Sequence, residues 1–364
     1  MPEPARQRVA TLLAGVVLLL LVVCTYANSV RGVFLFDDSV HILRNPRIGD
    51  LSDWRRVLSG TRPVVDLTLA INHAIGEWNV TGFHIVNIAV HALAAVTLFG
   101  LIRRTMMLIA GPRRSDGASV WLPLAAAAVW ALHPLQTQSV TYVIQRAESL
   151  MGRFYLLTLY GVVRGARSSR PACWYIIAVA ACALGMGSKA VMITAPLVTL
   201  LYDRQFLAGS LSAALRKRWG LYLALFGTWG IQWFVGITPR ALNPSIAGAH
   251  VGLSYPGTTP LQYALTQLGV LTTYLKLAVW PRPLCLDYTW PVARTIGAVA
   301  PFALLILPLA TVTAWALWKR TVAGFLGACF FLFLAPTSSV VPIKDALFEH
   351  RMYLPLASLT VLAV

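Results

Sequence analysis

The sequence predicts an all-α polytopic membrane protein with about ten spans and two large loops on one side of the membrane. Hydrophobic residues make up 57% of the 364 residues and charged residues only 12%, whereas soluble domains carry about 25% charged residues. Apolar stretches recur along the chain, and basic residues collect in the short segments between them. These observations exclude an ordinary soluble globular protein.

The charge balance is strongly basic, with 30 Lys and Arg against 13 Asp and Glu and a net charge of +17. In a membrane protein such an excess reflects topology and contact with membrane lipid, so we expect no nucleic-acid partner. The five cysteines show no CxxC or Cys/His spacing, which indicates neither a disulfide framework nor a zinc site. The sequence also lacks a P-loop, an HExxH motif and a nucleophile elbow. We therefore expect no cofactor and no metal, and a divalent ion at the acidic loops is the alternative.

The first apolar stretch runs from Val9 to Cys24, after Arg6 and Arg8. It is longer than the apolar region of a signal peptide, about 7–15 residues, and many further stretches follow. The sequence therefore favours an uncleaved first helix over a signal peptide. The further apolar stretches lie near residues 85–102, 119–132, 150–163, 172–187, 190–202, 219–237, 297–318, 321–336 and 352–364.

One segment, Pro260 to Trp280, has helical spacing but many polar residues. Counting it as a span would invert the topology of everything after it. As a re-entrant or interfacial helix, it lets the chain obey the positive-inside rule with a cytoplasmic N-terminus. A first loop at residues 28–84 and a second large region at residues 238–296 then lie outside. Because no internal repeat or linker is evident, residues 1–364 are predicted to form one domain. The basic loops lie inside, at residues 103–114, 164–170, 204–218 and 319–320.

Two adjacent carboxylates, Asp37 and Asp38, stand among aromatic residues in the first outer loop. Apolar surroundings raise the pKa of a carboxylate toward that of a useful general base. Such a pair is also typical of a helix cap or a solvated turn. His84, Asn87 and His91 lie on one face of a predicted helix, where they form either the wall of a site or polar contacts within the bundle.

Further polar and charged side chains fall on the same outer side. They are His133, Arg146, Glu148, Lys189, Glu349, His350 and Arg351. Arg146 and Glu148 either pair with each other or serve a phosphate group, and Lys189 either binds phosphate or snorkels to the surface. A base together with several cations at an outer membrane surface suits an anionic lipid-linked donor, whose phosphate leaves as a hydroxyl group attacks.

Several strings carry a resemblance to a known family. In chain order they are FDDSVHILRNPRI, RPVVDLTLAINHAI, GFHIVNIAVHAL, HPLQTQSVTYVIQRAESLMGRFYLL, LDYTWPV and APTSSVVPIKDALFEHRMYLPL. They resemble the membrane part of bacterial tetratricopeptide-containing glycosyltransferases and of the related eukaryotic transmembrane-and-tetratricopeptide O-mannosyltransferases, over about residues 30 to 360. The resemblance implies the C-type glycosyltransferase fold, a helical bundle whose active site opens to the extracytoplasmic side and takes a polyprenyl-phosphate sugar.

The resemblance also assigns roles to single residues. It implies that Asp37 is the catalytic base, with Asp38 as the alternative. Glu148 matches the acidic position of the family's arginine-x-acid segment, and Lys189 matches the lysine of its Ser-Lys-Glu turn.

The chain departs from the family in three places. Ala190 replaces the glutamate of the Ser-Lys-Glu turn, and Gln138 replaces the acid of the common HPxxTE string. No tetratricopeptide helices follow the membrane part, so we expect a minimal or a truncated member.

The sequence thus predicts an inverting glycosyltransferase of the bacterial inner membrane with a periplasmic active site. Its partners are a polyprenyl-phosphate-linked sugar and a protein, lipid or glycan acceptor. The alternatives are a flippase or transporter for a lipid-linked precursor, which the lack of repeat halves disfavours, and an inactive family scaffold. Arg146, Lys189, His350 and Arg351 are expected to hold the donor phosphate, Glu148 and Glu349 to orient cations or sugar hydroxyls, and His84, His91 and His133 to line the site.

Overall fold

The computed structural model describes residues 5–110, 118–235, 252–253 and 257–364, and these residues form fifteen α-helices and no β-strand. The α-helices are α1 (Ala5–Tyr26), α2 (Trp54–Leu58), α3 (Pro63–Gly76), α4 (Val80–Ala110), α5 (Ala118–Leu132), α6 (Thr137–Thr141), α7 (Arg146–Gly165), α8 (Pro171–Met186), α9 (Ala195–Tyr202), α10 (Leu211–Gly227), α11 (Trp229–Phe234), α12 (Pro260–Val279), α13 (Ile296–Trp318), α14 (Val322–Leu334) and α15 (Tyr353–Ala363). Short 3₁₀ or π turns connect several of them, at Ala27–Arg31, Ser39–Leu43, Pro134–Gln136, Val143–Gln145, Ala190–Thr194, Asp203–Leu207 and Glu349–Met352.

Among the described residues, three helical segments are long and apolar enough to cross a membrane. They are Arg6–Arg31, Val80–Ala110 and Ile296–Trp318, and shorter apolar helices lie at Val120–Leu132, Pro171–Met186 and Val322–Leu334. The chain is therefore an all-helical, membrane-associated protein, and the number of ten spans stays a prediction. Residues 111–114 of the predicted basic loop at residues 103–114 lie outside the described residues. Residues 238–251 and 254–256 of the predicted second outer region also lie outside them.

The first helix belongs to the bundle. α1 packs on α4 and α5, and its Leu18 and Val22 side chains are 0% exposed. Tyr26, at its last turn, donates a hydrogen bond to the carbonyl oxygen of Ala131 (3.1 Å). This packing agrees with the expected uncleaved first helix.

The centre of the bundle is α7, which packs on α4 and α8. Glycines allow the close approach. A Cβ at Gly161 would lie 2.9 Å from the carbonyl oxygen of Trp174, and one at Gly152 would collide with the ring of Tyr353. Because the space is this tight, α7 is held at fixed distances from α8 and α15, and its first turn is held with it.

One end of the bundle, called the basic end here, gathers Arg204, Arg218 and Arg320. The Arg204 guanidinium donates to the carbonyl oxygen of Leu317 (3.3 Å), and the Gln205 amide donates to that of Arg320 (2.5 Å). Arg218 forms an ion pair with buried Asp203 (2.8 Å). Arg320 thus lies at the same end as Arg204, which is the arrangement that the predicted topology requires.

The opposite end, called the loop end here, consists of residues 28–79, 133–145, 187–190 and 335–352. α12 contacts this end repeatedly. The Tyr263 hydroxyl donates to the carbonyl oxygen of Thr337 (2.7 Å), and the Tyr274 hydroxyl donates to that of Phe348 (2.9 Å). Near the end of α12, the carbonyl oxygen of Ala278 accepts a hydrogen bond from His133 (3.2 Å). These contacts run along much of α12, as expected of a helix that lies along the loop end.

Candidate active site

Asp38 anchors the first loop. Its side chain is 0% exposed, and its carboxylate accepts hydrogen bonds from the backbone N–H groups of Leu35 (3.0 Å) and Ile144 (2.8 Å). Burial raises the pKa of Asp38 to about 6, and the backbone hydrogen bonds oppose the shift. A carboxylate enclosed in this way positions the loop against residues 143–145.

Asp37 has a more open position. Its side chain is half-buried, and its backbone N–H donates to the hydroxyl of Tyr142 (2.8 Å). The residue before it, Phe36, has a φ of +42°, a left-handed conformation that is costly for a bulky residue and typical of functional sites. The loop therefore presents the Asp37 carboxylate beside buried Asp38.

Arg62 stands among three carboxylates. It precedes Pro63, the first residue of α3. Burial lowers the pKa of the Arg62 guanidinium, and the negative charges of Glu148, Asp66 and Asp37 oppose the shift. Sequence reasoning gave Arg62 no role, because a lone arginine in a long loop carries no pattern. The structure places it between the first loop and α7.

Glu148 and Lys189 form a buried ion pair. Glu148 is 1% exposed in the first turn of α7, and Lys189 lies in the turn after α8, which is fixed to α3 by a hydrogen bond from the Val64 N–H to the Gly187 carbonyl oxygen (3.2 Å). Burial lowers the pKa of the Lys189 ammonium. Glu148 opposes this shift, and the positive charges of Arg62 and Arg351 add to it. Arg62, Glu148, Lys189 and Arg351, called the ionic cluster here, therefore act on one another.

Backbone carbonyl groups hold Arg351 in place. Its guanidinium donates to the carbonyl oxygens of Ala346 (2.8 Å) and Asp345 (2.6 Å) and lies 5.8 Å from the centre of the Phe348 ring. The ionic cluster thus brings three cations around the buried carboxylate of Glu148, and cations in such a group suit an anionic ligand.

Glu349 fastens another loop to the site. One carboxylate oxygen accepts hydrogen bonds from the Cys285 N–H (2.7 Å) and the Tyr288 hydroxyl (2.7 Å). Burial raises the pKa of Glu349, and both hydrogen bonds oppose the shift. This carboxylate therefore holds residues 285–288 near the ionic cluster.

His350 differs from the expectation. It is 6% exposed, and its pKa is lowered well below the ordinary value of 6.5, first by burial and then by the charges of Lys189, Arg351 and Arg62. The imidazole is therefore neutral at pH 7 and adds no positive charge for a phosphate group.

Arg146 also differs from the expected phosphate ligand. Its guanidinium donates to the side-chain oxygen of Asn87 (2.6 Å) and to the carbonyl oxygens of Thr68 (3.1 Å) and Phe83 (2.9 Å). Each of its three nitrogens thus bonds to a protein oxygen, and Glu148 pairs with Lys189 instead. Arg146 ties α3 and α4 to the start of α7, because one long side chain reaches all three.

The three histidines expected in the site wall have separate surroundings. His91 contacts the Tyr353 hydroxyl (2.8 Å) and the Ala131 carbonyl oxygen (3.0 Å) inside the bundle. His133 accepts a hydrogen bond from the Leu135 N–H (3.2 Å) and starts a 3₁₀ turn. His84 is buried beside Gly32, and neither of its ring nitrogens bonds to a described residue. Among the described ranges no group of three or more His, Cys, Asp or Glu side chains is placed to hold a metal ion.

An apolar crevice of about 140 Å³ opens between α4, α7, α14 and α15, and Leu98, Leu156 and Leu354 belong to its lining. Leu354 lies near the start of α15, three residues after Arg351 of the ionic cluster. Part of the crevice lining is therefore close to this cluster along the chain.

No family profile and no solved structure matches the chain. Among curated proteins, it is 32% identical over 202 residues to Protein O-mannosyl-transferase Tmtc2 of Drosophila melanogaster, a match that covers 49% of this chain and 20% of that protein. It is 34% identical over 174 residues to Protein O-mannosyl-transferase TMTC4 of Homo sapiens, with 41% and 22% covered. The chain spans about a fifth of the length of these relatives. In the matched segments it is thus similar to proteins named as O-mannosyl-transferases.

Proposed function

We propose that the chain is the membrane part of a glycosyltransferase, which moves a sugar from a polyprenyl-phosphate donor to an acceptor hydroxyl at the loop end. The observation that carries this proposal is the ionic cluster beside the loop that presents Asp37. This reaction requires a general base for the acceptor hydroxyl and cations for the leaving phosphate.

The reaction is a direct displacement. The Asp37 carboxylate takes the proton of the acceptor hydroxyl, whose oxygen forms a bond with the anomeric carbon of the sugar. The bond from that carbon to the phosphate oxygen breaks, and its electron pair leaves with the lipid phosphate. Attack from the side opposite the leaving group inverts the anomeric configuration.

The ionic cluster stabilises the leaving phosphate. Arg62, Lys189 and Arg351 supply positive charge where negative charge develops, in a site with little water. Glu148 fixes the position of Lys189 and opposes the lowering of its pKa by burial. Fixed carbonyl partners hold Arg351 in place before the donor arrives, so little reorganisation is needed during the reaction.

The remaining predicted residues support this arrangement. Asp38 holds the first loop, Glu349 holds residues 285–288, and Arg146 holds the start of α7. His91 and His133 bond to other parts of the bundle, and the three histidines have no role in the proposed reaction. The isoprenoid chain of the donor lies in the apolar crevice, where apolar burial favours a hydrocarbon.

The similarity to proteins named as O-mannosyl-transferases supports membership of that family and suggests mannose as the sugar and a protein hydroxyl as the acceptor. The C-type fold, the bacterial inner membrane and a periplasmic loop end belong to the same proposal. The concentration of basic residues at the other end of the bundle supports the outer position of the loop end.

A transfer assay in nanodiscs tests the proposal. The protein is incubated with polyprenyl-phosphate monosaccharides, one donor at a time, with mannose among them and a host membrane extract as the source of acceptors. We expect one donor to be consumed, with release of lipid phosphate and sugar bound to an acceptor. Movement of intact donor between the leaflets of proteoliposomes without any release of phosphate would overturn the proposal in favour of a flippase.

A further inference from the structure

Gln138 links His350 to the loop at residues 285–286. Its side-chain oxygen accepts hydrogen bonds from the His350 backbone N–H (3.3 Å) and contacts the ring Nδ1 of the same residue (3.1 Å). Its amide nitrogen donates to the carbonyl oxygens of Cys285 (3.0 Å) and Leu286 (3.3 Å). Because carbonyl oxygens only accept hydrogen bonds, the NH₂ group must face them, and the orientation of the amide is fixed.

The fixed amide also determines the tautomer of His350. The amide oxygen carries no proton, so a hydrogen bond between it and Nδ1 requires a proton on Nδ1. In a neutral imidazole the other nitrogen, Nε2, then carries a lone pair. Nε2 bonds to no described residue and is not among the buried polar atoms without a partner. The ring plane is fixed by stacking on Phe348, with the ring centres 4.9 Å apart.

Burial is the first cause that keeps the imidazole neutral, and the charges around the ring add to it. Lys189, Arg351 and Arg62 are the charged groups that act on it, and all three oppose a positive charge on the ring. Gln138, from α6, adds no charge of its own. A carboxylate in place of the Gln138 amide would offset the charge of the three cations and favour the imidazolium. Both ring nitrogens of an imidazolium carry a proton, so neither of them can accept a hydrogen bond.

We infer that Gln138 is a positioning residue that holds His350 as the neutral Nδ1–H tautomer, so that Nε2 accepts a hydrogen bond from a hydroxyl group of the substrate. The inference rests on the proposed function for the identity of that hydroxyl. Since the ionic cluster next to His350 is assigned to the donor phosphate, the hydroxyl belongs to the donor's sugar. His350 therefore binds the sugar of the donor, and Arg62, Lys189 and Arg351 bind its phosphate.

Nitrogen NMR of the full chain in nanodiscs, with ¹⁵N-labelled histidine, tests the tautomer without any turnover. The chain has seven histidines, and a His350→Gln variant identifies the signals of His350. At pH 6 to 7 we expect a protonated Nδ1 and an unprotonated Nε2. In the Gln138→Glu variant we expect both ring nitrogens of His350 to be protonated over the same pH range. An Nε2–H tautomer or an imidazolium in the wild type would overturn the inference.

Donors that lack one sugar hydroxyl test the role of Nε2. We expect one such deoxy sugar to lower kcat/KM of the wild type about tenfold, which is the effect of one hydrogen bond. We expect His350→Phe to have the same kcat/KM for this deoxy sugar as for the parent sugar. We expect the pH profile of kcat/KM to show the ionisation of His350 in the Gln138→Glu variant. The Gln138→Leu variant should lack this ionisation. Equal discrimination by the wild type and His350→Phe would overturn the role of Nε2. If the tautomer is as expected but no sugar is transferred, the proposed function fails while the assignment of the tautomer stands.

Discussion

At the scale of residues, Asp37 and Asp38 are neighbours in the chain with different surroundings. Asp38 is enclosed, and its carboxylate is occupied by two backbone N–H groups. Asp37 is half-buried and acts electrostatically on Arg62. Because proton transfer requires contact with the acceptor hydroxyl, we propose the more open Asp37 as the base and the enclosed Asp38 as a positioning group.

The pKa of Asp38 predicts a pH dependence of stability. It is about 6 in the folded protein, against an ordinary value of 3.8. Between these values the folded state binds more protons than the unfolded state, so stability falls as the pH rises from about 4 to about 6. The pKa values of Asp66 and Glu349 shift in the same direction, also through burial.

We therefore expect the midpoint temperature of thermal unfolding to fall over this pH range in the wild type, and to fall less in Asp38→Asn. The matched control is Asp53→Asn, which changes an exposed aspartate of the same loop and should keep the full dependence. Identical pH profiles for Asp38→Asn and the wild type would contradict the assigned shift.

Arg62 has no role in the sequence analysis, and only the structure brings it into the candidate site. We expect Arg62→Gln to lower kcat/KM for the lipid donor about a hundredfold, because one charge-assisted contact to the phosphate is lost. Arg55→Gln, in the exposed part of the same loop, should leave kcat/KM unchanged. Equal effects of the two substitutions would show that Arg62 acts only through the general charge of the loop.

Sequence reasoning identified the types of residue in the site but not their partners. Glu148 and Lys189 are 41 positions apart, and only the packing of α7 against the turn after α8 brings them together. His350 was expected to be a cation, because sequence does not show burial or neighbouring charges. Arg146 was expected to bind phosphate, because an exposed guanidinium and one bonded to three protein oxygens look alike in a sequence.

At the scale of elements, α7 and α15 connect the site to the apolar crevice. Glu148 lies in the first turn of α7, and Arg351 lies in the 3₁₀ turn that precedes α15. The same two helices contribute Leu156 and Leu354 to the crevice. These two helices thus carry both kinds of surface that the proposed donor requires, one for its anionic head and one for its hydrocarbon chain.

Filling the crevice should affect long donors selectively. Ala357 lines it, and we expect Ala357→Phe to raise KM for a long-chain polyprenyl donor about tenfold, through lost apolar contact. KM for a donor with a chain of two isoprene units should stay the same. Leu362→Phe is the control, since Leu362 is 52% exposed on the same helix. An equal rise in KM for both donors would show that the isoprenoid chain of the donor binds outside the crevice.

At the scale of the whole molecule, charge separates the two ends of the bundle. The basic end gathers Arg204, Arg218 and Arg320, and the loop end holds the proposed site. This division was predictable from the sequence, because the positive-inside rule acts on loop composition alone. The path of α12 was a choice between two topologies, and the re-entrant or interfacial alternative stays a prediction.

Labelling of single cysteines in sealed vesicles tests this arrangement. The background variant replaces Cys24, Cys173 and Cys285, which are exposed, with serine. Leu261 and Val279, near the two ends of α12, are 69% and 84% exposed. We expect cysteines at both positions to react from the face that labels Ser52→Cys, and Ser212→Cys to react from the opposite face. Labelling of the two α12 positions from opposite faces would show that α12 spans the membrane.

The central claim is that Asp37 is the base of a sugar transfer, and the most direct measurement compares Asp37→Asn with Asp50→Asn in the nanodisc transfer assay. Asp50 is an exposed aspartate of the same loop. We expect Asp37→Asn to bind the donor as the wild type does while transfer falls at least about a hundredfold, and Asp50→Asn to transfer normally. Full transfer by Asp37→Asn, with the product's anomeric configuration unchanged, would contradict the account.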